Sequence, residues 1–79
     1  MISMSSKFSI PLHVAILEIV RKKQQIREDE LMEALKAIYG DDIARSEVIK
    51  TLMRLELEGL IQVEEMRRGI RLIKIAKRL

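Results

Sequence analysis

The sequence contains no cysteine, no tryptophan and no asparagine, and its aromatic side chains are limited to Phe8 and Tyr39. Without cysteine the chain can form no disulfide, and it has no thiolate to act as a nucleophile or a zinc ligand. Since 48% of its 79 residues are nonetheless hydrophobic, the core is expected to be aliphatic. A chain of this length makes one small domain of marginal stability, so burial against a second copy is the simplest source of additional stability.

Long hydrophobic runs are also absent. No apolar stretch approaches the length that crosses a bilayer, and residues 1–6 lack the features of a secretory signal, so we expect a cytoplasmic protein. The net charge of +3 favours a polyanionic partner without requiring one. Abundant Ile, Lys, Arg and Glu with few amide side chains are typical of proteins from thermophiles.

Apolar periodicity predicts two helices in the first half of the chain. The first runs from Leu12 to about Lys23, with Ser9 as its cap and Pro11 in its first turn. The second begins at the acidic run 28–30, because negative charge is favourable at a helix N-terminus, and it ends at Gly40 as a left-handed cap would.

The periodicity of the second half predicts a third helix followed by a hairpin. The helix spans about residues 44–58, with Asp42 as a candidate cap and Gly59 at its end. Its buried row is formed by Val48, Leu52 and Leu55. The period then changes to two, which predicts strands at 60–65 and 70–76 joined by a turn at 66–69.

The alternating residues of the two predicted strands define the buried side of the hairpin. They are Ile61, Val63, Ile73 and Ile75, whereas Leu72 points to the opposite side. A single strand residue at Ile26 could bridge to this hairpin. The fold class is therefore α+β and mainly helical: three helices plus a wing of two or three strands, with residues 1–11 as an N-terminal segment and 12–79 as the domain.

Residues 46–61 read SEVIKTLMRLELEGLI and resemble the recognition helix and first wing strand of winged helix-turn-helix regulators of the MarR, PadR and ArsR kind. The matching positions are Val48, Leu52, Leu55, Glu56, Gly59, Leu60 and Ile61. The resemblance covers roughly residues 12–77. It implies that Leu55 packs in the core, that Gly59 leaves the helix in a left-handed conformation, and that the wing begins at Leu60. Paired arginines at 67 and 68 also resemble MarR-type wings.

This resemblance implies a small, non-enzymatic transcriptional regulator that binds double-stranded DNA, with the third helix in the major groove and the wing beside it. Arginine reads guanine with two hydrogen bonds, while lysine, serine and threonine hold phosphates or bases. A basic hairpin tip suits a narrow minor groove. The candidate DNA-binding residues are Arg45, Ser46, Lys50, Thr51, Arg54, Arg67 and Arg68.

Two other functions remain open at this point. Ile49 stands where such helices often carry a small polar residue, and Glu47 and the pair at 41–42 bring negative charge near the expected phosphates. Ile49, Glu47 and the modest net charge favour a winged helix that binds another protein within a larger assembly. The third possibility is a chromatin protein that binds DNA without sequence preference. No domain for a small-molecule effector accompanies the wing, so no effector is expected.

Catalytic and metal chemistry find little support in the sequence. His13 is the only histidine, which is too few for a metal site in a chain without cysteine. The acidic run 28–30 is explained by its place at a helix start, and no phosphate-binding loop or catalytic triad is found. We therefore expect no enzyme, no metal and no cofactor.

The N-terminal segment and first helix carry more apolar side chains than a domain of this size readily covers. They are Ile2, Met4, Phe8, Ile10, Val14 and Leu17. Their number predicts a homodimer through this region, which would also place two wings on successive half-sites of DNA.

Overall fold

The computed structural model describes residues 10–76 of the chain. Three helices and three short strands follow in the order α1, β1, α2, α3, β2, β3. The helices are α1 (Leu12–Lys23), α2 (Glu28–Tyr39) and α3 (Arg45–Leu57), and the strands are β1 (Gln25–Arg27), β2 (Ile61–Glu65) and β3 (Arg71–Ile75). A single 3₁₀ turn, Arg67–Gly69, joins β2 to β3. The predicted α+β class is confirmed.

The strands form one antiparallel sheet in which β3 lies between β1 and β2. The bridging strand predicted at Ile26 is three residues long, and Ile26 stands opposite Ile73 in the register of β1 and β3. The predicted alternation of β2 and β3 is confirmed, since Ile61 and Ile73 are buried and their alternate neighbours are half-buried. Leu72 is half-buried on the other side of the sheet. Its register partners are Arg27 of β1 and Glu64 of β2.

The core is aliphatic, as the shortage of aromatic residues requires. Its buried members are Ala15, Ile16, Val20, Ile26, Leu31, Leu35, Val48, Leu52, Leu55, Ile61 and Ile73. Every helix and every strand contributes to this cluster, so α3 is fixed to the rest of the domain through one apolar side. Each fully buried Leu, Ile or Val contributes about 1.5–3 kcal/mol relative to an exposed one.

The starts of α1 and α3 differ from their predicted caps. Pro11 is the N-cap of α1 with extended backbone rather than a residue of the first turn, and Ser9 lies outside the described residues. Ala44, not Asp42, is the N-cap of α3, and no side chain caps this helix. Asp42 stands two residues too early because the backbone turns at Gly40, whose carbonyl accepts the N–H of Ile43.

Gly59 ends α3 as predicted. Its φ of 78° is in the left-handed region, and its N–H donates to the carbonyl of Glu56 while the next N–H, of Leu60, donates to Leu55. This pair of bonds is the Schellman motif, which turns the chain sharply out of the helix and into β2. Gly40 also has positive φ, 96°, but its ψ of 169° is extended rather than left-handed helical.

The outer side of α1 leaves apolar side chains in solvent. Ile10 and Val14 are exposed and Leu17 is half-buried, whereas Ile2, Met4 and Phe8 lie outside the described residues. The Tyr39 hydroxyl donates to the carbonyl of Ile10, and burial raises the pKa of the Tyr39 phenol. Among residues 10–76, no helix combines the length and apolar character that a membrane crossing requires.

Candidate nucleic-acid interface

The outer side of α3 is open because the buried row uses only one side of the helix. Val48, Leu52 and Leu55 face the core at the spacing of i, i+4 and i+7. Ser46 and Lys50 are exposed on the opposite side, and within residues 10–76 neither makes an ion pair or a side-chain hydrogen bond. Lys50 is therefore an available cation near the middle of the helix.

Arg45, the first residue of α3, is exposed but engaged. Its Nη2 donates to Oε1 of Glu28 at 3.3 Å, and 63% of its side chain remains accessible. The guanidinium carries five N–H donors in a planar fork, so one contact leaves the others available. Arg45 thus presents a partly fixed fork at the start of the helix.

Arg54 and Thr51 are also engaged, but with partners on α3 or at its end. Arg54 is exposed and its Nε lies 3.6 Å from the Glu58 carboxylate, an ion pair of i and i+4 spacing. Thr51 is half-buried, and its hydroxyl donates to the carbonyl of Glu47 at 2.8 Å. Thr51 is therefore less accessible than Ser46 or Lys50, because its position on the helix adjoins the buried row.

The wing tip holds its two arginines in solvent. Arg67 and Arg68 are exposed, and no ion pair involves them within the described part of the chain. Arg68 adopts φ 64° and ψ 29°, and Gly69 follows at φ 74°, so two successive left-handed residues close the turn. Met66 and Ile70 flank the arginines as exposed apolar side chains.

The basic residues of β3 are partly neutralised by acids of neighbouring elements. Lys74 Nζ of β3 lies 3.2 Å from the Glu64 carboxylate of the neighbouring strand β2, so this lysine forms an ion pair within the sheet. Arg71 Nε lies 4.0 Å from Oε1 of Glu28 rather than beside Glu65, its register partner. Lys77 and Arg78 lie outside the described residues.

The start of α3 and the far end of the wing border one cleft. This cleft has a volume of about 510 Å³, and its lining includes Arg45 from α3 and residues 69–71 from the wing. The lining also includes acidic residues of α2, among them Asp29 and Glu33. The start of α3 and residues 69–71 of the wing therefore border one cleft, whereas Arg67 and Arg68 lie outside its lining.

Sequence reasoning missed two apolar residues on the outer side of α3. Met53 is 57% exposed and Leu57 is 88% exposed, one helical turn apart. Removing the buried row at 48, 52 and 55 from the helix leaves this pair on the open side, so the helical period alone could have identified it. Contiguous exposed apolar surface is a feature of sites that bind other molecules, so this pair is a candidate contact of α3.

Sequence reasoning also missed Glu28 as a residue of this region. The sequence explains the acidic run by its place at a helix start, and two of its members do accept backbone N–H groups there. Glu30 accepts the N–H of Arg27 at 3.3 Å, and Asp29 accepts the N–H of Glu30 at 2.9 Å. Glu28 instead is buried and faces Arg45 and Arg71. No periodicity in the sequence indicates a contact between residues 28, 45 and 71.

The helices, the antiparallel sheet and the hairpin after α3 together have a winged-helix-like layout. Comparisons with known proteins found no matching family model, no matching curated protein and no matching solved structure. Within residues 10–76, no three His, Asp or Glu side chains are grouped as a metal ion would need.

Proposed function

We propose that this protein binds double-stranded DNA as a small transcriptional regulator in the cytoplasm. The observation that carries the proposal is the positive charge of the wing tip, where Arg67 and Arg68 are exposed and have no acidic partner among residues 10–76. The end of this turn, Gly69, borders the same cleft as Arg45 at the start of α3. Exposed arginines with no internal partner are suited to phosphates and to the negative potential of a narrow minor groove.

In this proposal α3 lies in the major groove through its open side. Lys50 contacts a phosphate, and Arg45 and Ser46 at the start of the helix are placed for base edges or sugar-phosphate contacts. The winged-helix-like layout supports this division, since the second helix of a helix-turn-helix pair is the one that enters the groove.

The test is a titration of a fluorescent random duplex with the full chain at several salt concentrations. Neutralising three to four phosphates predicts a slope of log K against log salt of about −3 to −4. The absence of affinity at about 50 mM salt, where electrostatic binding is strong, would reject the proposal. Equal affinity for random duplexes and for duplexes selected from a random pool would instead support a chromatin protein without sequence preference.

A second candidate function is binding of another protein through α3. The observation that favours it is the exposure of Met53 and Leu57 on the C-terminal half of α3, because exposed apolar side chains are more typical of protein interfaces than of contacts with phosphates. The charges of this segment balance when the C-cap residue is included, since the three basic residues of α3 are matched by three acidic ones. The basic residues are Arg45, Lys50 and Arg54, and the acidic ones are Glu47, Glu56 and the C-cap Glu58.

Two double variants distinguish the candidates. If α3 enters the major groove, Lys50→Glu with Arg54→Glu weakens duplex binding by more than about tenfold, since it reverses two charges at the phosphates. Met53→Ser with Leu57→Ser is the matched variant on the same helix, and it then changes duplex affinity by less than the charge reversal does. The reverse order of effects in a cellular assay of function would favour the protein-binding candidate.

A further inference from the structure

Glu28 joins three elements of the domain with one carboxylate. It is the first residue of α2, Arg45 is the first residue of α3, and Arg71 is the first residue of β3, where the wing returns. Glu28 Oε1 lies 3.3 Å from Arg45 Nη2 and 4.0 Å from Arg71 Nε. The same oxygen therefore faces the recognition helix and the wing.

The burial of these groups is unequal. Glu28 is only 6% exposed, and its second oxygen, Oε2, is buried without a hydrogen-bond partner among the described residues. Arg45 keeps 63% of its side chain in solvent and Arg71 keeps 32%. Glu28 is therefore the buried member of the cluster, and both arginines reach from it toward solvent.

We propose that Glu28 is a positioning residue of the DNA interface, which orients the Arg45 guanidinium by holding one of its nitrogens and ties it to Arg71 at the far end of the wing. This inference rests on the proposed function. The free edge of the Arg45 fork then meets the groove in a set orientation, which a bidentate contact with a base requires. Glu28 itself does not touch DNA.

The alternative role of Glu28 is to mask charge, and it predicts the opposite result. If Glu28 only neutralises Arg45, replacing it with glutamine frees the arginine for phosphates and increases what Arg45 contributes to binding. If Glu28 orients Arg45, the same replacement decreases that contribution. The sign of the coupling between the two residues therefore separates the two roles.

The experiment is a double-mutant cycle of Glu28→Gln and Arg45→Gln in the full chain. Affinity is measured by fluorescence anisotropy on a duplex that the wild type has selected from a random pool, at about 150 mM salt to limit long-range electrostatics. The control cycle pairs Glu28→Gln with Arg54→Gln, because Arg54 contacts Glu58 and not Glu28. Circular dichroism and urea unfolding establish that each variant is folded.

We expect Arg45→Gln alone to weaken binding about tenfold, which is within the range for loss of a bidentate contact. In a chain that already carries Glu28→Gln, we expect Arg45→Gln to weaken binding only about two- to threefold, a coupling of the size measured for residues in contact. The control cycle is expected to be additive. If Glu28→Gln does not fold, Glu28→Asp replaces it, since the shorter side chain withdraws the carboxylate and predicts a coupling of the same sign.

Additive effects in the first cycle, or a larger loss from Arg45→Gln beside Glu28→Gln, would overturn the positioning role and leave the proposed function intact. A coupling of equal size in both cycles would also overturn it, because that result indicates a change of the whole fold. Absence of duplex binding by the wild type would instead reject the proposed function, and this inference with it.

Discussion

The two elements that carry the candidate DNA-binding residues, α3 and the wing tip, handle their charges in opposite ways. On α3, Arg45 and Arg54 each lie beside a carboxylate. Lys50 of the same helix has no acidic partner among residues 10–76. At the wing tip, Arg67 and Arg68 are exposed and have no acidic partner in the same part of the chain. The helix is tied to the core, whereas the wing tip buries nothing.

This difference indicates that α3 and the wing tip contribute differently to binding. A side chain held by a buried carboxylate, as Arg45 is by Glu28, is suited to selecting a base or a partner, because its orientation is set before binding. Unpaired exposed arginines are suited to attracting phosphates from any sequence. We therefore expect the wing tip to supply most of the salt-dependent affinity and α3 to supply discrimination.

The largest expected effect is on the attachment of α3 itself. Leu55→Ala, at a buried position, should lower the free energy of unfolding by about 2–5 kcal/mol. Leu57→Ala, two residues away but 88% exposed, is the matched control and should change it by less than about 0.5 kcal/mol. Urea unfolding monitored by circular dichroism measures both. Equal losses would show that the open side of α3 is covered in solution.

The next effect concerns the wing tip. Arg67→Gln with Arg68→Gln should reduce the slope of log K against log salt by about 1.8, since two phosphate contacts are lost. Lys22→Gln with Lys23→Gln removes the same charge from exposed positions at the end of α1 and serves as the control. A duplex titration at several salt concentrations measures both slopes. Equal slopes for the two variants would mean that only net charge matters.

A smaller effect tests whether the ion pairs of α3 limit its contribution. Glu58→Gln releases Arg54 and should tighten duplex binding about two- to fivefold, the size of one exposed charge interaction. Glu18→Gln makes the same change in net charge on α1, where Glu18 pairs with Arg21 at 2.9 Å. The two affinities are compared on one duplex at one salt concentration. A gain from Glu18→Gln as large as that from Glu58→Gln would contradict a specific role for Arg54.

The smallest effect concerns the backbone of the wing tip. Arg68 adopts a left-handed conformation, so Arg68→Gly removes a steric cost of about 1–2 kcal/mol while adding about 0.5–1 kcal/mol of unfolded-state entropy. The net expectation is a gain in stability of about 1 kcal/mol or less. Arg67→Gly, whose φ is not positive, should instead lose stability. Urea unfolding of the two variants gives the comparison, and losses of similar size would show that the turn adopts another conformation in solution.

The fold could largely be predicted from the sequence because its signals are local. The buried row of α3, the alternation of the strands and the exit at Gly59 follow from periodicity and from backbone conformations that glycine favours. The cap of α3 could not be placed, because the helix begins where the preceding turn ends, and that point depends on packing. The structure puts the N-cap at Ala44, two residues after Asp42.

The candidate site was predictable only in part. Exposure of Lys50, Arg67 and Arg68 follows from their distance from the apolar positions. The engagement of Arg45 by Glu28 joins residues seventeen positions apart, a tertiary contact that no period encodes. Sequence patterns thus identify which side of a helix is open, but not which of its charges another element has already bound.

The most direct test of the account is to map the DNA contact on the protein by NMR. Titration of the ¹⁵N-labelled chain with a short duplex should shift the backbone amides of 45–57 and of 66–69 most strongly, with α1 little affected. Perturbations confined to the end of α1, at 21–23, or spread evenly over the domain would contradict the assignment of α3 and the wing tip as the DNA-binding surface.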